Sequence, residues 1–323
     1  MKNRSLVITS LLFLFFSCVD SDKKKSSKKI TASTQTGLSL VILGTIQDAG
    51  SPHIACKKEC CSVLFENPDA ARKVVSLGVV DHENQQTFLF DATPDISEQL
   101  KFLKRSASWE AAELPNGIFL THAHIGHYSG LMYLGKEATN AKAIPTYVMP
   151  KMKIFLEQNG PWSQLVSQKN IDLHPIENGA MLSMTSNLKV VPLQVPHRDE
   201  FSETVGFKII GPNKTALFIP DIDKWEKWET NIIDVIKTVD YAFLDASFYD
   251  GNELNTRDIS QIPHPFVIES IAIFKKLSQS DKQKIHFIHF NHTNRLLDLE
   301  SNQSKKVLEK GFKIAQFNHQ FEL

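Results

Sequence analysis

The sequence predicts a single α/β domain in which one sheet packs on another and helices cover the outside. Two observations predict this layered fold. From Leu38 onward, short β-branched or aromatic-rich runs alternate with helix-like segments. The strand-like runs slightly outnumber the helical ones, and several follow one another early, which suits a layered fold better than strict βαβ winding. No internal repeat or long linker interrupts residues 38–323, so we expect one domain there.

The predicted elements follow in chain order. Strands are expected at LSLVILGTI, VVSLGVV, TFLFD, GIFLT, IPTYVM, LKVVPLQV, TALFIPD, YAFLDAS and KIHFIHF, because each run is apolar and closed by polar residues. Helices are expected at DISEQLKFLKR, GHYSGLMYLGKEA, DKWEKWETNIIDVIKTV, PFVIESIAIFKKL and SNQSKKVLEKG.

The composition is that of an ordinary globular protein. The 323 residues include 36 Lys and Arg against 36 Asp and Glu, and the hydrophobic fraction is 42%. A net charge of zero argues against a nucleic-acid partner bound through bulk positive charge, and it fits a small-molecule substrate. Four cysteines exclude a disulfide-dense scaffold. The oligomeric state is not indicated.

Residues 1–18 have the layout of an export signal. Lys2 and Arg4 precede an apolar run that is too short to span a bilayer comfortably. Cys18 follows a small residue and resembles the bacterial lipobox cysteine, which is acylated; a plain secretory signal is the alternative. Residues 19–37 are rich in Lys, Ser and Thr and are expected to form a disordered tether. We therefore expect export and a lipid anchor at Cys18, on the periplasmic or cell-surface side of a bacterial membrane.

Three histidines in the segment THAHIGH are the strongest functional signal. His122, His124 and His127 follow a predicted strand directly and can converge at the strand-to-helix turn. Imidazole is a common neutral ligand for Zn, Fe and Cu. The segment therefore predicts a metal site.

With the segments around it, this motif resembles the metallo-β-lactamase superfamily, in the branch of coenzyme PQQ synthesis protein B. The segments THAHIGHYSGLMYLG, VPHRDEFSETVGF, FIPDIDKW and HFNHTN carry the likeness. The resemblance implies a four-layer αββα sandwich. It also implies a first metal on His122, His124 and His197, and a second on His127, His289 and a bridging Asp221. Asp91 would orient the site.

The resemblance implies a metal-dependent hydrolase with one or two zinc ions, or with Fe or Mn. A metal-bound hydroxide would attack an ester, phosphodiester or lactone-type substrate. Superfamily hydrolases usually carry an Asp ligand where this chain has Gly126. The second metal therefore binds weakly, is completed by another residue or solvent, or is absent.

Two other functions remain open. One is a role like that of the PQQ proteins in cofactor biosynthesis, with oxidative chemistry at iron, although the export signal argues against it. The other is a metal-binding lipoprotein without turnover, which the missing acidic ligand at Gly126 would explain. Fold resemblance alone does not decide between them.

Cys56, Cys60 and Cys61 lie within six residues of one another. They could form a disulfide and a free thiol in an oxidising compartment, or hold a structural zinc. The resemblance favours zinc, with His292 as the fourth ligand and His53 as its competitor. The usual spacing in the family is CxCxxC, whereas this chain has CxxxCC.

His264 and Asp245 are further candidates. Related nucleases place a proton-donating histidine near the position of His264, so that His264 and Asp221 are the candidate catalytic residues; a capping or packing role for His264 is the alternative. Asp245 ends a strand and is a candidate for orienting a ligand imidazole.

Overall fold

The computed structural model describes residues 36–198, 200–253 and 262–323. The predicted signal segment, nearly all of the tether and Cys18 lie outside the described residues. Within the described residues, no helix is both long enough and apolar enough to cross a membrane.

Two seven-stranded sheets organise the described part of the chain. In chain order the strands are β1 (Leu38–Gly44), β2 (Ser76–Asp81), β3 (Gln86–Phe90), β4 (Gly117–Phe119), β5 (Ile144–Val148), β6 (Ile171–Pro175), β7 (Leu182–Ser183), β8 (Lys189–Gln194), β9 (Val205–Ile210), β10 (Thr215–Ile219), β11 (Tyr241–Asp245), β12 (Ile285–Ile288), β13 (Lys313–Ile314) and β14 (Gln320–Glu322). The first sheet has the order β14-β1-β2-β3-β4-β5-β6, and the second has the order β13-β12-β11-β10-β9-β8-β7.

The two sheets are built on the same plan. In the first, pairing is antiparallel from β14 to β3 and parallel from β3 to β6. In the second, pairing is antiparallel from β7 to β10 and parallel from β10 to β13. The carboxyl ends of parallel strands lie at the same edge of a sheet, so several loops leave each sheet on that side. Those loops carry the candidate site.

Helices cover the outer faces. They are α1 (Glu59–Glu66), α2 (Ile96–Ser106), α3 (Ile125–Tyr128), α4 (Pro150–Gln158), α5 (Trp162–Ser167), α6 (Ile232–Lys237), α7 (Val267–Phe274), α8 (Gln279–Lys282) and α9 (Asn302–Glu309). The predicted helix after THAHIGH is only the single turn α3 followed by a 3₁₀ segment, Ser129–Leu134. The helix predicted over 223–239 is a 3₁₀ turn, Trp225–Lys227, followed by the short α6.

Three apolar layers hold the sandwich together. Along β1, Leu40 and Ile42 enter the layer between the sheets, whereas Val41 and Leu43 face the helices of the first sheet. Aromatic rings fill the central layer, where Phe90 stacks on Phe119 with ring centroids 4.8 Å apart. A third layer joins the second sheet to α6, α7 and α9. The predicted αββα architecture is therefore confirmed.

Candidate metal centre

All six sequence-predicted ligands of the active site lie together, in loops that follow strands of both sheets. His122 and His124 follow β4, and His127 lies in α3. His197 follows β8, Asp221 follows β10, and His289 follows β12. Except for His124, their side chains are at most 2% exposed. The cluster therefore lies where the ends of the two sheets meet.

The ligand atoms form two groups that share Asp221. The first group contains His122, His124, His197 and Asp221, and its four ligand atoms all lie within 4.8 Å of one another. The second contains His127, Asp221 and His289 with the same spacing, and it gains Asp48. The Asp221 carboxylate lies between them: its Oδ2 is 3.4 Å from His122 Nε2 and 3.3 Å from His289 Nε2.

Several potential metal-ligand atoms at the centre of this cluster lack hydrogen-bond partners. Nε2 of His122, Nε2 of His197 and both carboxylate oxygens of Asp221 are buried and make no hydrogen bond. Buried polar atoms almost always have a hydrogen-bond partner. Nitrogen and oxygen atoms that lack one and converge on one point therefore indicate a bound ion. Nitrogen and carboxylate oxygen are ligands that Zn, Fe and Mn accept. The residues present therefore fit a metal centre.

Asp48 is the ligand that sequence reasoning missed. It lies in the loop after β1, and its Oδ1 is 2.9 Å from His127 Nε2 and 3.3 Å from His289 Nε2. The loop is fixed beside His289, because Gln47 N donates to Phe290 O at 2.9 Å. Burial alone would raise the pKa of Asp48, but His127 and His289 hold it well below its usual value. An acidic residue just past a strand end was the available signal, although no spacing singled it out.

Asp48 also explains Gly126. A Cβ atom added at Gly126 would lie 2.5 Å from Cα and 2.7 Å from Cβ of Asp48, closer than real Cβ contacts come. The backbone of residue 48 therefore leaves no room for a side chain at position 126. Of the alternatives left open for the second group, completion by another residue matches this geometry, because a second carboxylate comes from the β1 loop.

Hydrogen bonds behind the ligands fix the orientation of their rings. Asp91 Oδ2 accepts from Nδ1 of His127 at 2.7 Å, and Asp91 Oδ1 accepts from the backbone N of Thr121 at 2.8 Å. The Thr121 hydroxyl lies 2.9 Å from Nδ1 of His122. Both imidazoles therefore present Nε2 to the centre, which is how outer hydrogen bonds usually position metal ligands. Asp91 and His289 both have positive φ, of 68° and 66°.

Asp245 acts on the opposite side of the cluster. Its Oδ1 accepts from the backbone N and the hydroxyl of Ser247, each at 2.9 Å, and the Ser247 hydroxyl lies 2.8 Å from Nδ1 of His289. Its Oδ2 lies 2.8 Å from Nδ1 of His264. Asp245 thus contacts two imidazoles at once, one directly and one through Ser247.

His264 points into the cluster instead of only packing ahead of α7. Its Nδ1 lies 3.2 Å from Asp221 Oδ1, and its ring centroid is 5.2 Å from that of His197. Burial lowers the pKa of His264, but the carboxylates of Asp245 and Asp221 raise it above its usual value overall. Burial would raise the pKa of Asp221, whereas His289 and His197 bring it well below its usual value.

The three cysteines form a separate cluster with His292. The Sγ atoms of Cys56, Cys60 and Cys61 lie within 4.8 Å of one another and of a ring nitrogen of His292, and the three thiols are not in a disulfide. His53, the competing ligand, donates its backbone N to Cys61 Sγ at 3.2 Å, and its Nδ1 contacts Ile54 O. Three sulfurs and one nitrogen are a donor set typical of structural zinc.

A family model and individual relatives both match this chain. A model of the β-lactamase superfamily domain matches residues 86–290. Coenzyme PQQ synthesis protein B of Methylococcus capsulatus is 24% identical over 301 residues, covering 85% of this chain and 96% of that protein. The protein of the same name from Gluconobacter oxydans is 21% identical, covering 88% and 99%.

Two solved structures resemble the fold closely. Zn(2+)-bound PqqB from Methylobacterium extorquens has a TM-score of 0.71 and 20% identity, covering 88% of this chain and all of that one (100%). A diphosphatase from the PhnP family has a TM-score of 0.61 and 21% identity, covering 89% and 98%. These structural likenesses concern the fold.

Proposed function

Because the chain belongs to the β-lactamase superfamily, we propose that it is a metal-dependent hydrolase of small molecules. The bond cleaved is an ester, phosphodiester or lactone-type bond. The observation that carries the proposal is the convergence of unpaired, buried donor atoms from His122, His197 and Asp221. The zinc named for one structural relative and the diphosphatase activity named for another support zinc and hydrolysis.

The two groups of ligands would hold two metals on either side of Asp221. Metal ions held there would act as Lewis acids and would lower the pKa of a bound water molecule toward neutrality. Asp91, Thr121, Ser247 and Asp245 keep the imidazoles in place, so that little reorganisation is needed during the reaction. Burial of the ligands excludes bulk water from all sides of the centre except those of His124 and Asp48.

His264 is the proton donor in this proposal. Its Nδ1 is engaged by Asp245, so Nε2 is the nitrogen that can give a proton to the leaving oxygen. The charges of Asp245 and Asp221 favour the protonated ring, because they raise the pKa of His264. The assignment requires the substrate to extend from the centre toward α7.

A second candidate function is a biosynthetic role like that named for the PQQ proteins. The second group of ligands combines two imidazoles with two carboxylates, a set that iron accepts as readily as zinc. The predicted export of the chain argues against a pathway that is carried out in the cytoplasm. Absence of other PQQ pathway genes beside this one would exclude this candidate. The non-catalytic alternative loses its main reason, because Asp48 supplies the carboxylate that Gly126 lacks.

We also propose that the protein is exported and anchored through an acylated Cys18, with a small-molecule substrate and no nucleic-acid partner. The support is the layout of residues 1–18 and the zero net charge. Cys18→Ser should release the protein from the membrane fraction. Retention of the variant in that fraction would exclude the anchor.

The central experiment combines metal analysis with a substrate screen. Purified protein is assayed for Zn, Fe and Mn and tested on phosphodiester, thioester and lactone substrates. His122→Ala with His124→Ala should abolish the activity and deplete the metal of the first group. His174→Ala is the matched control, because His174 is exposed and pairs with Asp172 on the surface. Full activity in the double variant would refute the proposal.

A further inference from the structure

Two ligands of the metal centre face solvent. The side chains of Asp48 and His124 are 18% and 14% exposed, whereas those of the other five ligands are at most 2% exposed. The groups that surround His124 therefore line one of the routes to the centre. The side chains of Arg198 and Glu200 contact His124, Ile125 follows it in the chain, and Phe201 follows Glu200.

The segment that carries Arg198 is bonded to the segment that carries the histidines. Val205 N donates to Thr121 O at 3.0 Å, and Ala123 N donates to the hydroxyl of Ser202 at 2.8 Å. The two ends of the same segment are joined by a backbone hydrogen bond from Val195 N to Thr204 O. These hydrogen bonds, two between backbone groups and one to a side-chain hydroxyl, tie the described residues on both sides of Arg198 to the fold.

Arg198 has no carboxylate partner there. Within the described residues it forms no ion pair, and its Nη2 lies 3.4 Å from Nε2 of His124, the nitrogen that faces the centre. Glu200 Oε2 approaches the same nitrogen to 3.6 Å. A guanidinium and a carboxylate therefore both lie beside His124. A guanidinium presents a planar fork of donors that matches the oxygens of a carboxylate or a phosphate.

Apolar side chains are exposed next to these charges. Ile125 is 67% exposed although it lies between two metal ligands, and Phe201 is 62% exposed. The Phe201 ring packs against Phe155, with centroids 5.4 Å apart. Exposed large apolar groups beside a polar site are typical of a surface that contacts a ligand.

We propose that Arg198 is a specificity-determining residue that binds a carboxylate or phosphate group of the substrate beside His124. The apolar part of the substrate then lies against Ile125 and Phe201, and the scissile bond reaches the centre past His124. The inference rests on the proposed hydrolase function and names its substrate class: small anionic molecules with an apolar portion.

Phosphate binding tests the inference without turnover. Metal-loaded full-length protein is titrated with inorganic phosphate by calorimetry, in parallel with Arg198→Gln, Arg198→Lys and the control Arg105→Gln on helix α2. Loss of a charge-assisted hydrogen bond predicts a dissociation constant raised about tenfold or more in Arg198→Gln. Arg198→Lys should be affected less, Arg105→Gln not at all, and the metal content should be equal in all four proteins. A dissociation constant within twofold of the parent value, or no phosphate binding by the parent at millimolar concentration, overturns the inference.

Substrate pairs then separate carboxylate from phosphate recognition. The half-ester 4-nitrophenyl succinate, its neutral analogue 4-nitrophenyl butyrate, and bis(4-nitrophenyl) phosphate are compared in the same proteins. Arg198→Gln should raise KM for the anionic member it recognises and leave KM for the neutral ester unchanged. Equal effects on charged and neutral esters would contradict a recognition role. If no substrate is hydrolysed but phosphate binding still depends on Arg198, the hydrolase proposal fails and this inference stands.

Discussion

The His/Asp centre and the cysteine cluster bring ligand atoms equally close together, but the chain holds them differently. The centre draws its ligands from loops of both sheets. Four of its histidines are fixed through their second nitrogen, three by buried polar groups and His197 by the half-buried Asp223. The cysteine cluster draws three ligands from one short stretch at the start of α1, where Cys60 is exposed. Two of its sulfurs accept from the backbone N–H groups of His53 and Lys58.

The difference indicates that the fold orders the His/Asp centre, whereas a metal would order the cysteine cluster. The αββα sandwich positions the centre before any metal binds, since hydrophobic layers and hydrogen bonds already hold each ligand. The cysteine cluster has few contacts of its own and would gain its order from the metal. A three-residue step links them, because His289 belongs to one and His292 to the other.

The largest effect is expected from removing the carboxylate that both groups share. Asp221→Ala should remove both metals of the centre and abolish hydrolysis, because every other ligand lies around this side chain. The metal of the cysteine cluster should remain. Mass-spectrometric metal analysis of the purified variant measures both. Loss of all metals together would mean that the two regions are not independent.

The next largest effect is expected from a substitution that disturbs only the second group of ligands. Gly126→Asp should collide with Asp48, deplete the second metal and lower stability by about 1–3 kcal/mol. The double variant Gly126→Asp with Asp48→Gly should not recover stability, because the backbone Cα of residue 48 remains 2.5 Å from the added Cβ. Gly160→Asp is the control, since nothing lies within 4 Å of a Cβ there. A folded, fully metallated Gly126→Asp single variant is the result that would contradict the steric argument.

A smaller effect on metal affinity is expected from Asp245, which orients the ligands without being one of the six. Asp245→Asn leaves the size of the side chain unchanged but weakens its contacts with Ser247 and His264. Outer hydrogen bonds of this kind change metal affinity by about 10–100-fold. Competition with a chelator gives the affinity, and Asp172→Asn on the surface serves as the control. Unchanged affinity would show that Ser247 alone suffices to orient His289.

The smallest effect on the centre is expected from the cysteine cluster. Cys60→Ser should remove the structural metal and lower the melting temperature, while the centre keeps its metals and activity. A metal present at a hundred times its dissociation constant contributes about 2.7 kcal/mol of stability. Differential scanning calorimetry and metal analysis measure the two quantities. A disulfide between these cysteines, with metal confined to the His/Asp centre, would eliminate the zinc interpretation.

The sequence was sufficient for most of the site, partly through spacing and partly through resemblance. The three histidines of THAHIGH are recognisable from their spacing after a strand, whereas His197, Asp221 and His289 were implied by the resemblance to the metallo-β-lactamase superfamily. Asp48 was not predictable, because its contact with His127 depends on how the β1 loop packs across 79 residues of chain. Gly126 signalled that a ligand was missing but not where its replacement lay.

Strands made of apolar runs were predictable, and strands with polar residues among the apolar ones were not. The interior strand β9, VGFKII, is interrupted by Lys208 and was not expected, and neither was β6, whose mixed sequence IDLHP has three exposed residues. Helix α1 was also missed: only Cys61 of its eight residues is buried, so it lacks a clear apolar face. The helix expected after THAHIGH is short because its backbone passes from α3 into a 3₁₀ segment.

The left-handed backbone at Asp91 and His289 has an evolutionary consequence. Non-glycine residues held in that conformation cost about 1–3 kcal/mol each, and glycine or asparagine would relieve much of it. A library selected only for thermal stability without metal should therefore enrich Asp91→Gly and His289→Asn. Selection for stability and selection for a working centre thus act in opposite directions at these two positions.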